Sequence, residues 1–292
     1  MRELVLPAGE NPTSLEGFLK KRFPIGYVRK IFRKHGVRIN DRRAKSTDPV
    51  RPGDRVQLYI PFEREPSAPK PARSAPSVDI VFEDDALLVI NKRAGVAVHE
   101  GKSVLKRETL LGRLEEHYRE RGIRPRLVHR LDRDTSGLLL IAKNRPIAEE
   151  LETLFETRAV DKEYVCLVAG RLQKDSGGID FPLPGREGKP VRAVTRFQTL
   201  KRFSQTTLVR VATETGRLHQ IRLHFAKLGY PVVMDDQHGD FAFNKRFRKQ
   251  YGLKRQFLHA HKLRLTYACE KREWTAPLPP DLEKTINLLS AE

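Results

Sequence analysis

Hydrophobic positions in the first sixty residues form two helical stripes and two alternating runs. Leu15, Phe18, Leu19 and Phe23 recur at helical spacing, and Pro24 ends that stripe. Val28, Ile31 and Phe32 predict a second helix, closed by Gly36. Val37 to Asp41 reads as a short strand entering a turn. Pro52-Gly53-Asp54 marks another turn, and Val56, Leu58 and Ile60 alternate as one face of a strand does. Residues 63–77, EREPSAPKPARSAPS, have no apolar pattern and are dominated by Pro, Ala and Ser, the composition of an extended linker.

From Val78 onward strands predominate, with helices between them. Val78–Phe82 and Leu87–Ile90 read as strands around the acidic turn Glu83-Asp84-Asp85. Leu138–Ala142 is an apolar run of the fully buried kind. Ile147–Arg158 has helical spacing, Tyr164–Val168 and Thr206–Val211 look like strands, and His219–Leu228 is helical with Gly229 as its C-cap. There is no internal repeat. The expected organisation is a small domain over 1–62, a linker over 63–77 and a large domain over 78–292.

Charge changes the picture. The 292 residues carry a formal net charge of +19, a field that draws polyanions, of which nucleic acid is the commonest. The first 62 residues hold 14 Lys/Arg against 6 Asp/Glu. Arg29, Lys30, Arg33 and Lys34 lie along the second helix, with no acid between Tyr27 and Asn40. A charge run usually means a solvated face, but a one-signed face favours RNA or phosphate contact. A membrane surface is the competing polyanion, and no apolar run approaches the ~18–20 residues of a span. Met1–Pro7 has no apolar core of a signal peptide. Two distant cysteines, Cys166 and Cys269, support neither a disulfide framework nor a zinc ribbon and suit a reducing cytoplasm.

Candidate chemistry concentrates in His129-Arg130-Leu131-Asp132-Arg133-Asp134-Thr135-Ser136-Gly137, which runs straight into the apolar Leu138–Ala142. A packed strand there anchors a loop dense in polar groups. Neighbouring guanidinium favours the charged form of a carboxylate, and a fixed carboxylate beside a sugar can serve as nucleophile or base. The bland alternative is a capping and salt-bridge loop. The phosphate loop, the dinucleotide fingerprint and the HExxH zinc motif are all missing, and the histidine pairs 219/224 and 259/261 lack a third ligand. No cofactor and no metal are expected.

The HRLDRDTSG segment resembles the signature of the RluA-type pseudouridine synthases. Val81–Asp85, Leu88–Lys92 with Gly95 and His99, Lys162-Glu163-Tyr164, Thr215–His224 and Leu258-His259-Ala260 are similar to further family motifs in order and spacing. Residues 1–62 look like the RNA-binding domain first described in small-subunit ribosomal protein four. The resemblance implies an α+β catalytic domain on a mixed, largely antiparallel sheet, with a small α+β N-terminal RNA-binding domain. It implies an isomerase that detaches uracil from ribose, turns it and rejoins it through carbon 5, with no cofactor.

On the same resemblance Asp132 matches the catalytic aspartate, Arg222 the arginine paired with it, and Tyr164 the active-site aromatic. Arg130 matches a residue that fills the space left by a flipped nucleotide. His129, Arg133, Thr135, Arg217, His219 and Gln220 are expected around the substrate, and Arg29, Lys30, Arg33 and Lys34 on RNA. Ribosomal RNA of the large subunit is the first expected substrate and transfer RNA the second, with no obligate protein partner. Two rival readings are a non-catalytic assembly factor on the same fold and a glycosidase-like carboxylate pair at Asp132 and Asp134.

The chain departs from the family pattern in places. It has Lys92-Arg93 where Lys-Pro is common, Met234 where a glycine is common, and His238 where a tyrosine is common. A further stretch, Phe241–Arg255, mixes Phe241, Phe243, Phe247 and Tyr251 with Lys245, Arg246, Arg248, Lys249, Lys254 and Arg255. It reads either as an RNA-contacting surface or as an amphipathic insert with buried rings.

Overall fold

The computed structural model describes residues 2–7, 12–60, 78–100, 104–185 and 188–292; the linker expected over 63–77 lies outside them. The chain divides into two compact units, Met1–Ser77 with His99–Leu114, and Val78–Val98 with Glu115–Glu292. The sequence reading had placed 99–114 in the larger domain.

The first unit is a small α+β layer pair. Strand β1 (Arg2–Val5) precedes helices α1 (Leu15–Lys20) and α2 (Ile25–Arg33), and strands β2 (Val37–Ile39), β3 (Arg42–Arg43) and β4 (Arg55–Leu58) follow. The antiparallel sheet has the order β1-β4-β2-β3. Ser14 caps α1, its Oγ accepting the Gly17 N–H at 3.1 Å. The two helical stripes bury Leu15, Phe18, Leu19, Val28 and Ile31 against Val37, Val56 and Leu58. Strand β4 stops at Leu58, short of the expected Ile60, whose carbonyl instead accepts the Tyr27 hydroxyl at 2.7 Å.

The larger unit is built on one ten-stranded sheet. In chain order its main elements are β5 (Ile80–Glu83), β6 (Leu87–Lys92), β7 (Ser136–Ala142), α3 (Arg145–Glu156), β8 (Val160–Ala169), β9 (Ser176–Asp180), β10 (Val194–Arg202), β11 (Thr206–Thr213), α4 (Gln220–Lys227), α5 (Phe241–Tyr251), β12 (Leu258–Tyr267), β13 (Glu270–Thr275) and α6 (Pro280–Ser290). The strands run β9-β10-β11-β8-β12-β7-β6-β5, with β13 beside β12 and Arg126–Leu127 beside β7. Every pairing is antiparallel except β7 with β12, which is parallel at Ser136↔His259 and Gly137↔Ala260.

That parallel contact explains the glycine of the HRLDRDTSG segment. Gly137 has φ +111°, and a Cβ there would lie 2.1 Å from the Ala260 carbonyl oxygen. A side chain would push the two central strands apart at the point where the polar loop enters the sheet. Beyond it, Leu138, Leu140 and Ala142 pack with Leu87, Val89 and α3. Helix α4 covers Cys166, Val168, Val209 and Val211 through Ile221 and Phe225. Helices α5 and α6 cover Val165, Leu167 and Leu208 through Phe247, Leu282 and Leu289. Among the described residues no helix is long and apolar enough to cross a membrane.

Three histidines brace this sheet as neutral rings. His129 Nε2 accepts the Leu140 N–H at 2.8 Å and its ring stacks on Phe155. His259 Nδ1 lies 2.9 Å from Ser136 Oγ and its Nε2 lies 3.2 Å from the Ala276 carbonyl. His224 spans Thr195 Oγ1 and the Phe181 carbonyl. Burial lowers all three, His129 to about 3 and His259 to about 4. Below an unfolded value near 6.5 the unfolded chain therefore takes up protons that the native fold refuses. Stability is full above that pH and falls as pH drops towards 4, by ~1.4 kcal/mol per pH unit for each of His129 and His259, with His224 acting in the same direction. Urea midpoints measured at pH 7, 6 and 5 are expected to fall steadily; a flat profile would contradict the neutral rings.

Candidate active site

Asp132 sits in the loop that feeds β7, and the loop is pinned on several sides. The ammonium of Lys92, at the end of β6, donates to the carbonyls of Arg133 at 2.9 Å, Arg93 at 3.1 Å and Val96 at 3.1 Å. Lys92 is 2% exposed. Burial brings its ammonium down to about 7, against the opposing pull of Asp134 and Asp132. The Gly95 N–H also donates to the Arg133 carbonyl at 2.9 Å, while Arg133 Nε donates to the Gly95 carbonyl at 3.1 Å. Thr135 turns the chain back, its N–H donating to the Asp132 carbonyl and its hydroxyl accepting from Gln256 Nε2 at 2.6 Å. Arg255, held by Asp281, donates to Ser136 Oγ at 3.1 Å.

Arg222 then fixes the carboxylate. It projects from α4 and is 3% exposed. Its Nη1 donates to Asp132 Oδ2 at 3.0 Å, and its Nε and Nη2 donate to the two oxygens of Asp235, both at 2.7 Å. The planar fork of a guanidinium can make both connections at once; an ammonium cannot. Asp235 is fully buried, and its Oδ1 also accepts the backbone N–H groups of Gln237 at 2.9 Å and His238 at 3.0 Å. Burial alone would raise its pKa. Arg222 and the two N–H groups outweigh that and hold the carboxyl below its usual range. Arg222 is likewise lifted above its ordinary value by the two carboxylates despite its burial.

The turn that presents Asp235 is strained and clamped. Met234 has φ +63°, the left-handed region that a glycine would occupy freely. Asn244 of α5 compensates: its Oδ1 accepts the Met234 N–H at 2.8 Å and its Nδ2 donates to the Asp235 carbonyl at 2.9 Å. The Met234 side chain is buried in the core against Phe247 and Phe257. A glycine would take this φ without strain; the methionine takes it and adds apolar burial.

Tyr164 lies on β8, directly across from Ala260 of β12 and Val211 of β11, and Gly137 faces Ala260 on the far side. The small residues at 137 and 260 therefore occupy the same row as the tyrosine. Burial, then the charge of Asp132, push its phenol up to about 12, opposed by the Thr213 hydroxyl. The ring is thus a neutral hydroxyl within the field of Asp132.

The other residues expected near the substrate divide between roles. His219, at the left-handed start of α4, has Nε2 3.8 Å from Asp132 Oδ1 and Nδ1 3.0 Å from His238 Nε2. Gln220 is engaged on both ends, accepting from Thr215 and the Arg217 N–H and donating to the Val194 carbonyl and Thr195. It shapes the turn before α4. His129, braced as described, holds the loop from beneath. Arg130 is exposed, and Arg217 reaches the Arg192 carbonyl. Arg29, Lys30 and Arg33 lie exposed on α2 in the other unit, with Lys34 exposed at its C-cap, and none makes an ion pair among the described residues. No group of three His, Cys, Asp or Glu among the described residues is placed to hold a metal ion.

Sequence reasoning missed Asp235, Lys92 and Asn244 as parts of this site. A signal existed for Asp235: an arginine on the apolar face of α4 needs a buried counter-charge. Asp235→Asn leaves the buried guanidinium one partner short and is expected to cost roughly 3–5 kcal/mol. Urea unfolding measures it, and a loss below about 1 kcal/mol would mean that Arg222 is held by other means.

Residues 86–227 match the family model described as RNA pseudouridylate synthase, a span that contains Asp132, Tyr164 and Arg222. The chain is 36% identical over 301 residues to the ribosomal large subunit pseudouridine synthase C of Vibrio vulnificus, covering 94% of this chain and 92% of that protein. It is 33% identical over 315 residues to the enzyme of the same name from Escherichia coli, covering 98% and 96%. Among solved structures, human RNA pseudouridylate synthase domain containing 4 superposes with a TM-score of 0.62 at 26% identity, over 73% of this chain and 93% of that one. The polar loop, its arginine and its tyrosine thus occur in a chain that matches these enzymes almost end to end, and the chain belongs to the RluA-type RNA pseudouridine synthase family.

Proposed function

We propose that this protein isomerises uridine to pseudouridine in large-subunit ribosomal RNA, with Asp132 as the catalytic residue. The observation that carries the reading is the Asp132–Arg222–Asp235 chain, which holds one carboxylate in place, with half-buried Tyr164 in its field. The relatives at 33–36% identity act, by their names, on the ribosomal large subunit. Transfer RNA is the second reading for the substrate. The net charge of +19 favours a polyanion over the neutral sugar of a glycosidase.

In this reading the target uridine leaves its stack to reach the loop, and Arg130 takes its place. Asp132 acts on the ribose, either by attack on carbon 1′ or by removing the 2′ proton. The glycosidic bond breaks, uracil leaves as an anion, turns, and bonds to carbon 1′ through carbon 5. The carbon-5 proton is then lost and nitrogen 1 ends protonated, so the product is an isomer of the reactant. Both routes neutralise Asp132 only in passing, as an ester or as an acid: bonding of carbon 5 to carbon 1′ breaks the ester, or returns the 2′ proton, and restores the carboxylate. Tyr164, a neutral phenol in that field, is the group at hand to pass on the carbon-5 proton. Tyr164 also offers uracil a face for stacking.

The small N-terminal unit acts in this reading as an RNA-binding module like that of small-subunit ribosomal protein four, through Arg29, Lys30, Arg33 and Lys34. Two linked RNA-binding units raise avidity whenever the linker lets both engage. A cytoplasmic location fits this work.

Ribosomal RNA bearing tritium at uridine carbon 5 tests the reading. The protein should release tritium, and Asp132→Asn should release it at least about 1000-fold more slowly. Tyr164→Phe should also fail to release it. Mapping the modified position names the target. Tight binding with no release from ribosomal or transfer RNA would favour an assembly factor instead.

A further inference from the structure

Helix α5 carries a feature that neither the reaction nor the core accounts for. Its eleven residues, Phe241–Tyr251, contain Lys245, Arg246, Arg248 and Lys249 and no acid. The aromatic positions divide. Phe247 is 3% exposed, and Phe243 and Tyr251 pack with it on the domain core. These rings are bound within the fold, as the amphipathic-insert reading expected. Phe241 is different: it is 64% exposed, the most exposed large apolar side chain among the described residues.

Four of the exposed positions form one stripe. Phe241, Lys245, Arg248 and Lys249 stand at i, i+4, i+7 and i+8, to one side of the face that buries Asn244 and Phe247. None of these cations makes an ion pair among the described residues, although the same unit pairs Arg145, Arg196, Arg202, Arg255 and Arg272 with acids. An unneutralised row of cations led by a solvent-facing ring has the pattern of a strand-tracking surface, with charges for phosphates and a π-face for one base.

The position of α5 favours RNA over other polyanions. Phe241 follows His238 by three residues, so their Cα atoms lie within about 11 Å of each other. His238 touches His219, which faces Asp132. At the same end, Asn244 clamps the backbone of Asp235. The stripe therefore starts three residues past the histidine pair that borders Asp132 and spans about 12 Å along the helix.

We propose that α5 binds the substrate RNA strand next to the reacting uridine, with Phe241 stacking on an unpaired base and Lys245, Arg248 and Lys249 on consecutive phosphates. This rests on the isomerase reading for the identity of the strand. It assigns the helix a share of target choice, because an unpaired neighbour is needed for Phe241 to stack.

The test measures equilibrium binding of a labelled ribosomal RNA fragment across a salt series. Lys245→Gln/Arg248→Gln/Lys249→Gln is compared with a control of equal charge change, Lys174→Gln/Lys271→Gln/Lys284→Gln, all exposed positions of the same unit. The α5 variant is expected to bind at least tenfold more weakly at 150 mM salt, with a log–log salt slope shallower by about 2 to 3. The control should stay within twofold. Phe241→Ala should weaken binding roughly tenfold with the slope unchanged, since stacking releases no counterions. Equal losses in the α5 and control variants, or none in either, would overturn the proposal. So would loss of binding to phosphatidylglycerol vesicles with RNA binding intact, the mark of a membrane surface. Tritium release by the unaltered protein, run in parallel, reports on the isomerase reading separately, since binding through α5 is read without turnover.

Discussion

Everything around the site depends on one buried guanidinium hydrogen-bonded to two carboxylates, with the exposed Asp236 a third at 3.5 Å. Arg222 is almost wholly out of water, so its charge must be answered inside the protein. Asp235 answers it permanently, with both oxygens bonded to Arg222 and further backbone N–H groups on one of them. That leaves Nη1 free to aim at Asp132. One carboxylate, Asp235, is sealed; the other, Asp132, stays partly exposed. The roles differ because the surroundings differ, not the residue type.

The fold supplies what this arrangement needs. Asp132 has to be rigid without being buried, so its loop is tied from below by Lys92 and His129 and from the side by Thr135, Gln256 and Arg255. Gly137 lets β7 and β12 approach at the loop's foot, and Ala260 keeps the row beside Tyr164 shallow. Helix α4 brings Arg222 from above, and the clamped turn at Met234 brings Asp235 to meet it.

Much of this was legible in the sequence, and the pattern of what was not is physical. Helices α1, α2 and α4 follow from periodicity, and strands β6, β7 and β11 from apolar runs that are buried along most of their length. Strand β10 did not stand out, since its residues alternate with charges that pair across the sheet, as Arg196 does with Glu214. Asp132, Tyr164 and Arg222 came from resemblance to a family, and spacing alone left the polar loop open between chemistry and capping. Asp235 escaped because its importance lies in a partner 13 residues away around a turn. Lys92 escaped because a lysine at a strand end ordinarily reaches solvent, whereas this one turns under the loop. In Phe241–Arg255 three rings pack inward, as the amphipathic-insert reading expects, and Phe241 faces out.

The most direct measurement is single-turnover isomerisation by Arg222→Lys, with RNA affinity and urea stability recorded on the same preparation. A lysine keeps the positive charge but can bridge Asp132 and Asp235 only as a point, without the fork. The account expects a rate at least about 100-fold slower, with RNA affinity within a few-fold of the original. A variant that turns over near the original rate would show that charge alone suffices at this position, and would contradict the shared guanidinium as the constraint on which the site is built.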